Sequence, residues 1–343
     1  MSKQRAVVLG TGAWGTTFAQ VLAHAGMNVT MWGRSEDTVS FINDGENSRY
    51  LPGIELDPAI SATTELDEAL RPDGENPALV ALAVPTSAIV SVTQEAELTE
   101  ADTLVLSLAK GLEPHTYRTV QQMIAEEGQI APERIAVLSG PNLSREIADQ
   151  QPAAAVVASD SVETAKQIAI WCHNPYFRPY VSTDVIGVEL AGASKNVIAL
   201  AIGASEGMGL GSNTRATLIT RGLAEMTRLG VALGANPQTY AGLAGVGDLI
   251  ATCSSKLSRN YSLGFRLGQG MSLREALDLS PGVVEGVATS APVLELAQSC
   301  GVDMPITAGV VAVLSGKATV QQMGESLLAR PQKMDGWEVE LLD

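Results

Sequence analysis

Near the N-terminus the run Arg5-Ala6-Val7-Val8-Leu9 breaks into Gly10-Thr11-Gly12-Ala13-Trp14-Gly15, and a helical pattern through Phe18, Val21, Leu22 and Ala25 follows. A β-branched strand, a glycine-spaced turn and a helix, in that order, make the dinucleotide fingerprint of a Rossmann βαβ unit. Gly10 lets the chain turn tightly out of the strand. Gly12 lets backbone approach a pyrophosphate, and Gly15 lets the helix pack closely on the strand. The helix N-terminus then offers free N–H groups and the positive end of its dipole to the phosphates. Such glycine triplets recur by chance. The setting, after a strand and before a helix, separates this one from an ordinary glycine-rich βα turn.

At 343 residues the chain is long enough for two domains with their own cores. Apolar residues make up 45% and aromatics only 4%, so the core must be built from Ala, Val, Leu and Ile. A net charge of -16 argues against a nucleic acid or an anionic membrane as partner. Any anionic ligand must be held by local positive charge, which singles out the few Lys and Arg in glycine-rich settings. The three cysteines, Cys172, Cys253 and Cys300, have no metal-ligand spacing and suggest a reducing, cytoplasmic protein without a metal. No signal-peptide pattern is read at the start. The longest apolar stretches, Ala78 to Val84 and Val197 to Ala204, are too short for membrane insertion.

Through residue 184, short apolar runs alternate with helical patterns, which predicts an α/β domain with a doubly wound parallel sheet. The expected strands are Ala6–Leu9, Asn28–Trp32, Ala78–Val84, Thr103–Leu108, Ile135–Leu138 and Ala153–Ala158. Several are apolar almost throughout, as strands buried on both faces should be. From 185 to 330 the texture is helical, with helices expected at Val185–Ala204, Thr214–Leu233, Leu273–Leu279, Glu285–Ser299 and Ile306–Leu314. This predicts a nucleotide-binding domain over 1–184, an all-α substrate domain over 185–330 and a mobile polar tail over 331–343.

Several clusters could carry chemistry. Thr30-Met31-Trp32-Gly33-Arg34-Ser35 places Arg34 near the position where an acid would accept the adenosine ribose hydroxyls. A guanidinium there favours a 2′-phosphate, hence NADPH over NADH; otherwise it is a solvated surface residue. The helix from Val185 is apolar nearly all round, so its Lys195 either snorkels outward or is buried beside a ligand as a proton-transfer group. Gly242-Leu243-Ala244-Gly245-Val246-Gly247-Asp248 brings backbone close to something and offers Asp248 as a partner for Lys195. Ser258, Arg259 and Asn260 combine hydroxyl, guanidinium and amide donors suited to phosphate, or form a solvated basic turn. Lys110, in Leu108-Ala109-Lys110-Gly111, and the loop Ser139-Gly140-Pro141-Asn142-Leu143-Ser144 follow buried strands, where anion sites and plain βα loops are both found.

These motifs, with Arg49-Tyr50-Leu51-Pro52-Gly53, Gly187 through Asn196 and Val284-Glu285-Gly286, run in order and in register to about Ala318. In them the chain resembles the bacterial-type NAD(P)-dependent glycerol-3-phosphate dehydrogenases. The resemblance implies a 6-phosphogluconate dehydrogenase-like fold and reduction of dihydroxyacetone phosphate to sn-glycerol 3-phosphate for phospholipid synthesis. It implies that Lys195 donates the proton, that Lys110 contacts substrate and cofactor, and that Gly140 and Asn142 hold the substrate. Asp248 would orient Lys195 or a substrate hydroxyl, and Ser258, Arg259 and Asn260 would bind the phosphate. Gly10, Gly12, Ala13, Trp14, Gly15, Arg34, Lys110, Ser144, Arg259, Val283 and Glu285 would touch the dinucleotide. Asn142, Ser144 and Ser194 depart from the family's commoner small residue, Ala and Leu at those places. Oligomeric state is left open, a homodimer included.

Two rivals stand beside this reading. One keeps the fold and changes the substrate to ketopantoate or another small hydroxy acid, or to that of a 6-phosphogluconate-type enzyme. The Ser258-Arg259-Asn260 cluster speaks for a phosphorylated ketone instead. The other is a cofactor-sensing binding protein, which would not need Lys195, Lys110 and Asp248 together.

Overall fold

A computed structural model of the chain describes residues 4–330 apart from 73, 100, 101 and 281; the tail expected over 331–343 lies outside the described residues. Eight strands build one sheet: β1 (Arg5–Leu9), β2 (Asn28–Trp32), β3 (Ile60–Thr63), β4 (Leu79–Leu82), β5 (Leu104–Ser107), β6 (Ile135–Ser139), β7 (Ala153–Ser159) and β8 (Phe177–Ser182). Their order is β3-β2-β1-β4-β5-β6-β7-β8. Helices α1 (Ala13–His24), α2 (Glu36–Asn43), α3 (Leu66–Leu70), α4 (Ile89–Ala96), α5 (Val120–Gly128), α6 (Ser144–Ala148) and α7 (Val162–Cys172) lie between them. β1 shows why the strands are apolar throughout. Ala6 and Val8 join one buried cluster, and Val7 and Leu9 another, so alternate residues feed cores on opposite faces.

The sheet is parallel with one exception: β7 runs antiparallel to β6. The expected doubly wound parallel sheet holds apart from this one reversed pairing. The link between them contains only α6, five residues or about 7.5 Å of rise, while seven-residue β7 spans about 23 Å. With no longer helix in the link to pack across a face of the sheet, the chain returns alongside β6.

Two strands escape the sequence reading, β3 and β8, and they are the two edges of the sheet. An edge strand is not buried on both faces and need not be an apolar run. β3 alternates, and β8 (Phe-Arg-Pro-Tyr-Val-Ser) buries only Phe177 and carries Pro179, which an edge tolerates.

After β8 the chain is helical: α8 (Val185–Gly207), α9 (Ser212–Ala232), α10 (Pro237–Tyr240), a π turn at Leu243–Gly247, α11 (Asp248–Ser254), α12 (Arg259–Gly268), α13 (Leu273–Asp278), α14 (Glu285–Ser299), α15 (Pro305–Leu314) and α16 (Val320–Leu328). Asp184 starts α8 by accepting the Gly187 N–H at 3.1 Å. Nearly every α8 residue from Val185 to Ser205 is buried, because α9, α12, α14 and α15 surround it. By length and composition alone α8 could cross a membrane, contrary to the expectation that no apolar stretch is long enough; here it is the buried axis of the helical part.

α12 went unread as a helix because of Gly264 and Gly268, and packing explains both. A Cβ on Gly264 would lie 2.1 Å from the Leu200 carbonyl oxygen of α8, and one on Gly268 2.1 Å from that of Ala204. Reciprocally, a Cβ on Gly203 would lie 2.1 Å from the Tyr261 carbonyl oxygen, and one on Gly207 2.1 Å from that of Phe265. The two helices therefore meet backbone to backbone. Gly203→Ala should push them apart and cost about 1–3 kcal/mol of stability, the range for overpacking a tight core. Gly324→Ala, in α16 with nothing within 4 Å of the added Cβ, should instead stabilise by about 0.5–1 kcal/mol. Denaturant melts of the two variants check the contrast; equal effects would deny the close packing.

Candidate active site

The glycine turn lies at the carboxyl end of β1, where the strand order switches from β2 on one side to β4 on the other. Gly10 has φ +126°, and a Cβ there would meet the Ala83 carbonyl oxygen at 2.6 Å. A Cβ on Gly15 would strike the Gly10 carbonyl oxygen at 2.1 Å. Gly12 differs: nothing lies within 4 Å of its missing Cβ, and no side chain caps α1 behind it. Its surroundings suit close approach of a pyrophosphate to free N–H groups. Ala13 and Trp14 open α1 and are half-buried. Buried Asn47 braces the turn, donating to the Thr11 carbonyl at 2.9 Å and to the Thr16 hydroxyl at 2.7 Å. Arg34 is exposed just beyond β2, and Ser35 caps α2, whose first turn takes Glu36 and Asp37. The donor set fits a dinucleotide carrying a 2′-phosphate.

A second group is assembled from four distant segments. Lys195 on α8 does not snorkel: it is 6% exposed, and its Nζ lies 2.8 Å from Asp248 Oδ1 and donates to Thr252 Oγ1 at 2.7 Å. Thr252, one turn along α11, also donates to Asp248 Oδ1 at 3.1 Å. The other carboxylate oxygen, Oδ2, receives Lys110 Nζ at 2.6 Å and Ser139 Oγ at 3.4 Å. Lys110 Nζ further donates to the Gly140 carbonyl at 3.2 Å. Two amines thus share one buried carboxylate at the carboxyl ends of β5 and β6.

The electrostatics follow. Burial pulls the Lys110 ammonium down to about 8, Asp248 opposing and Lys195 assisting. Burial would raise the Asp248 carboxyl, but Lys110 and Lys195 hold it below its ordinary value. The cluster therefore carries more ammonium than carboxylate charge in a water-poor site, inside a chain of net charge -16.

The π turn explains the glycines before Asp248. A Cβ on Gly245 would lie 2.2 Å from the Tyr240 carbonyl oxygen, so the wide turn folds back on its own approach. Among the residues expected to bind phosphate, Ser258 caps α12 by accepting the Tyr261 N–H at 3.2 Å. Asn260 is engaged at both ends: it donates to Asn196 Oδ1 and accepts the Gly286 N–H, each at 2.9 Å. Of these three, only Arg259 is exposed, with its guanidinium beside Gly282. Asn142 has two buried amide atoms without a hydrogen-bond partner, as a ligand-binding amide would have before its ligand arrives. The Ser144 carbonyl accepts from Thr17 on α1 at 3.2 Å, which holds this loop over the glycine turn. Val283 is 52% exposed.

Glu285, at the start of α14, accepts from the Thr86 N–H at 3.3 Å and hydroxyl at 3.4 Å, beyond β4. Burial raises its carboxyl, against the Thr86 N–H, the Arg259 charge and the Lys110 N–H. Asn196 joins the same seam, donating to the Lys110 carbonyl at 3.4 Å. Thr252, Asn196, Asn47 and Thr86 were missed by sequence reasoning. Their types are common, and only the side chain next to Lys195 in sequence, Asn196, gave any local signal.

Comparison with known proteins identifies the family. A family model described as the NAD-dependent glycerol-3-phosphate dehydrogenase N-terminus matches residues 5–165, and its C-terminal counterpart matches 184–325. The glycerol-3-phosphate dehydrogenase [NAD(P)+] of Streptomyces griseus is 49% identical over 96% of this chain and 98% of its own length. That of Corynebacterium glutamicum (strain R) is 50% identical with the same coverage, 96% and 98%. The crystal structure of glycerol-3-phosphate dehydrogenase from Coxiella burnetii superposes with a TM-score of 0.90 at 37% identity, covering 96% of this chain and 99% of that one. D-mandelate dehydrogenase with NADH, at 13% identity and TM-score 0.60 over 92% of this chain and 98% of that one, shares the fold alone.

The shared carboxylate should be visible in titration. Asp248→Asn removes the charge that favours the Lys110 ammonium, so the Lys110 midpoint should fall below about 8. Labelling of Lys110 by an amine-selective reagent, followed against pH by mass spectrometry, reads that midpoint. A midpoint unmoved by the substitution would show that Asp248 does not support the charge.

Proposed function

This chain belongs to the NAD-dependent glycerol-3-phosphate dehydrogenase family, and from that premise we propose how its residues divide the work. The enzyme reduces dihydroxyacetone phosphate to sn-glycerol 3-phosphate, the backbone unit of glycerophospholipids, at the expense of NAD(P)H. When bound, the nicotinamide supplies the hydride. The observation that carries the assignment is the buried Lys195–Asp248–Lys110 cluster at the mouth of a dinucleotide-binding sheet.

Lys195 is the proton donor. Negative charge develops on the ketone oxygen as the reaction proceeds, and a protonated Lys195 neutralises it and then gives up its proton. Asp248 and Thr252 fix the direction of that amine. Lys110 supplies a second positive charge between substrate and cofactor. Gly140 and Asn142 line the substrate, and Arg259 takes the phosphate, with Ser258 and Asn260 presenting it from the start of α12. This placement turns phosphate binding into alignment of the ketone. The dinucleotide is held by Gly10, Gly12, Ala13, Trp14 and Gly15, with Ser144, Val283, Glu285 and again Lys110 and Arg259 on the facing side. Arg34 meets the 2′-phosphate, which makes NADPH the preferred form. The helical part from 185 to 330 acts as the substrate domain closing on the 1–184 domain. A reducing, cytoplasmic setting suits its three free thiols.

Lys195→Ala should lower turnover by roughly 10²–10⁴-fold while dinucleotide binding and folding persist, the range for losing a general acid. Steady-state NADPH oxidation beside a fluorescence titration of NADPH separates the two; a variant keeping more than about a tenth of wild-type turnover would remove Lys195 from the role. Arg34→Asp should weaken NADPH and spare or improve NADH, because a carboxylate repels the 2′-phosphate and accepts ribose hydroxyls. The readout is the ratio of kcat/KM for the two cofactors, and an equal loss for both would make Arg34 a residue of the fold.

A further inference from the structure

We propose that Leu112 is a positioning residue for the reaction: an apolar peg on the loop after β5 that docks in the helical part and so sets Lys110 against Asp248. The inference rests on the reading of Lys110 as a contact for substrate and cofactor. The β5 ladder reaches Leu108, whose N–H donates to the Leu82 carbonyl at 3.0 Å. Past that point the partners lie mostly on the helical part. The Lys110 N–H reaches Glu285 on α14, its carbonyl accepts from Asn196 on α8 at 3.4 Å, and its Nζ lies 2.6 Å from Asp248 on α11. The Gly140 carbonyl, 3.2 Å from Nζ, is its partner on the sheet side.

Two residues further on, Leu112 is 3% exposed and joins a buried apolar cluster with Leu190 and Ala193 of α8, Leu229 of α9, Val293 and Ala297 of α14, and Met304. Among the described residues, it is the one buried member of that cluster from before residue 185. Gly111 lets the chain reach this place. A Cβ there would lie 2.5 Å from Thr86 Oγ1, the hydroxyl that donates to Glu285.

The return leg of the loop is fastened as well. Arg118 binds both Glu113 carboxylate oxygens, at 2.6 and 2.9 Å, and the Tyr117 hydroxyl donates to Glu295 Oε2 on α14 at 3.2 Å. Tyr117 has φ +60°, a conformation uncommon for a bulky side chain that persists where the surroundings impose it.

A lysine amine sits on a flexible four-carbon stem, so its place depends on its partners and on where its backbone is held. Core filling alone predicts that shortening any equal side chain of the cluster has the same effect. The peg predicts a difference, because Leu112 is two residues from an amine of the site and Leu229 is on another helix. The charged groups acting on Lys110 are Asp248, Lys195 and Glu285, and burial has the largest effect, drawing its ammonium down to about 8. A loop without its peg admits water to the amine, so the midpoint moves up toward the ordinary lysine value.

Leu112→Ala and Leu229→Ala delete the same atoms from the same cluster, one on the loop and one on α9. Both should lower the urea midpoint. Leu112→Ala alone should lower kcat/KM for dihydroxyacetone phosphate, by roughly 10–100-fold, the scale for a group misplaced by about 1 Å. It alone should raise the Lys110 midpoint above about 8 in an amine-labelling titration. NADPH affinity, set mainly by the glycine turn, should hold, and Leu112→Met, similar in volume, should keep most of the rate. Should Leu112→Ala fail to fold, Leu112→Val against Leu229→Val makes the same comparison with a smaller deletion. Equal losses of rate within a pair would reduce Leu112 to core packing and overturn the proposal. So would a Lys110 midpoint that stays or falls, because the peg would not then be setting the amine. The parent reading fails separately: Lys110→Met turning over at the wild-type rate would remove Lys110 from the chemistry, whatever Leu112→Ala does.

Discussion

Asp248 holds two amines with one buried carboxylate, and the rest of the site is arranged around that imbalance. A buried charge pair is stable only with good geometry and satisfied lone pairs. Asp248 meets that demand with Lys195 and Thr252 on one oxygen and Lys110 and Ser139 on the other. The uncompensated positive charge makes the cleft receptive to a phosphorylated anion and to an oxygen gaining charge, although the protein as a whole is acidic. The same geometry ties β5, β6, α8 and α11 together, so the charge cluster is also a structural joint.

The joint works because α8 and α12 touch at the backbone. Gly203, Gly207, Gly264 and Gly268 remove the side chains that would separate them. At that distance Asn260 reaches Asn196 on α8 and the Gly286 N–H on α14, while Asn196 reaches the Lys110 carbonyl. Arg259, one residue away, is thereby set beside Gly282 with its guanidinium free to face a ligand. Close packing far from the chemistry thus determines where the phosphate-binding cation stands.

Carboxylates at helix starts form a second layer of support. Asp184 caps α8, Glu189 meets α5, and Glu225 receives the Ile306 and Thr307 N–H groups of α15 at 2.6 and 3.2 Å. Burial pushes Glu225 up to about 7, as it does Glu189, and hydrogen bonds from the helix starts oppose the rise in both. Two raised carboxyls that both serve helix starts show why titration alone does not mark a functional acid.

Read alone, the sequence determined the nucleotide-binding turn, the central strands, the axis helix α8 and the candidate residues, because each leaves a local mark. Gly10 and Gly15 answer to steric demands within one βα unit, and strands buried on both faces must be apolar throughout. Edge strands β3 and β8 leave no such mark, and α12 was hidden by glycines whose reason lies on another helix. The direction of β7 left no mark either, since its run is as apolar as those of the parallel strands. Whether Lys195 would snorkel or stay buried was decided only by tertiary structure, through Asp248 and Thr252 more than fifty positions away. Lys110 and Lys195 become one site because the fold spends a single carboxylate on both, a long-range electrostatic choice that no local pattern can encode.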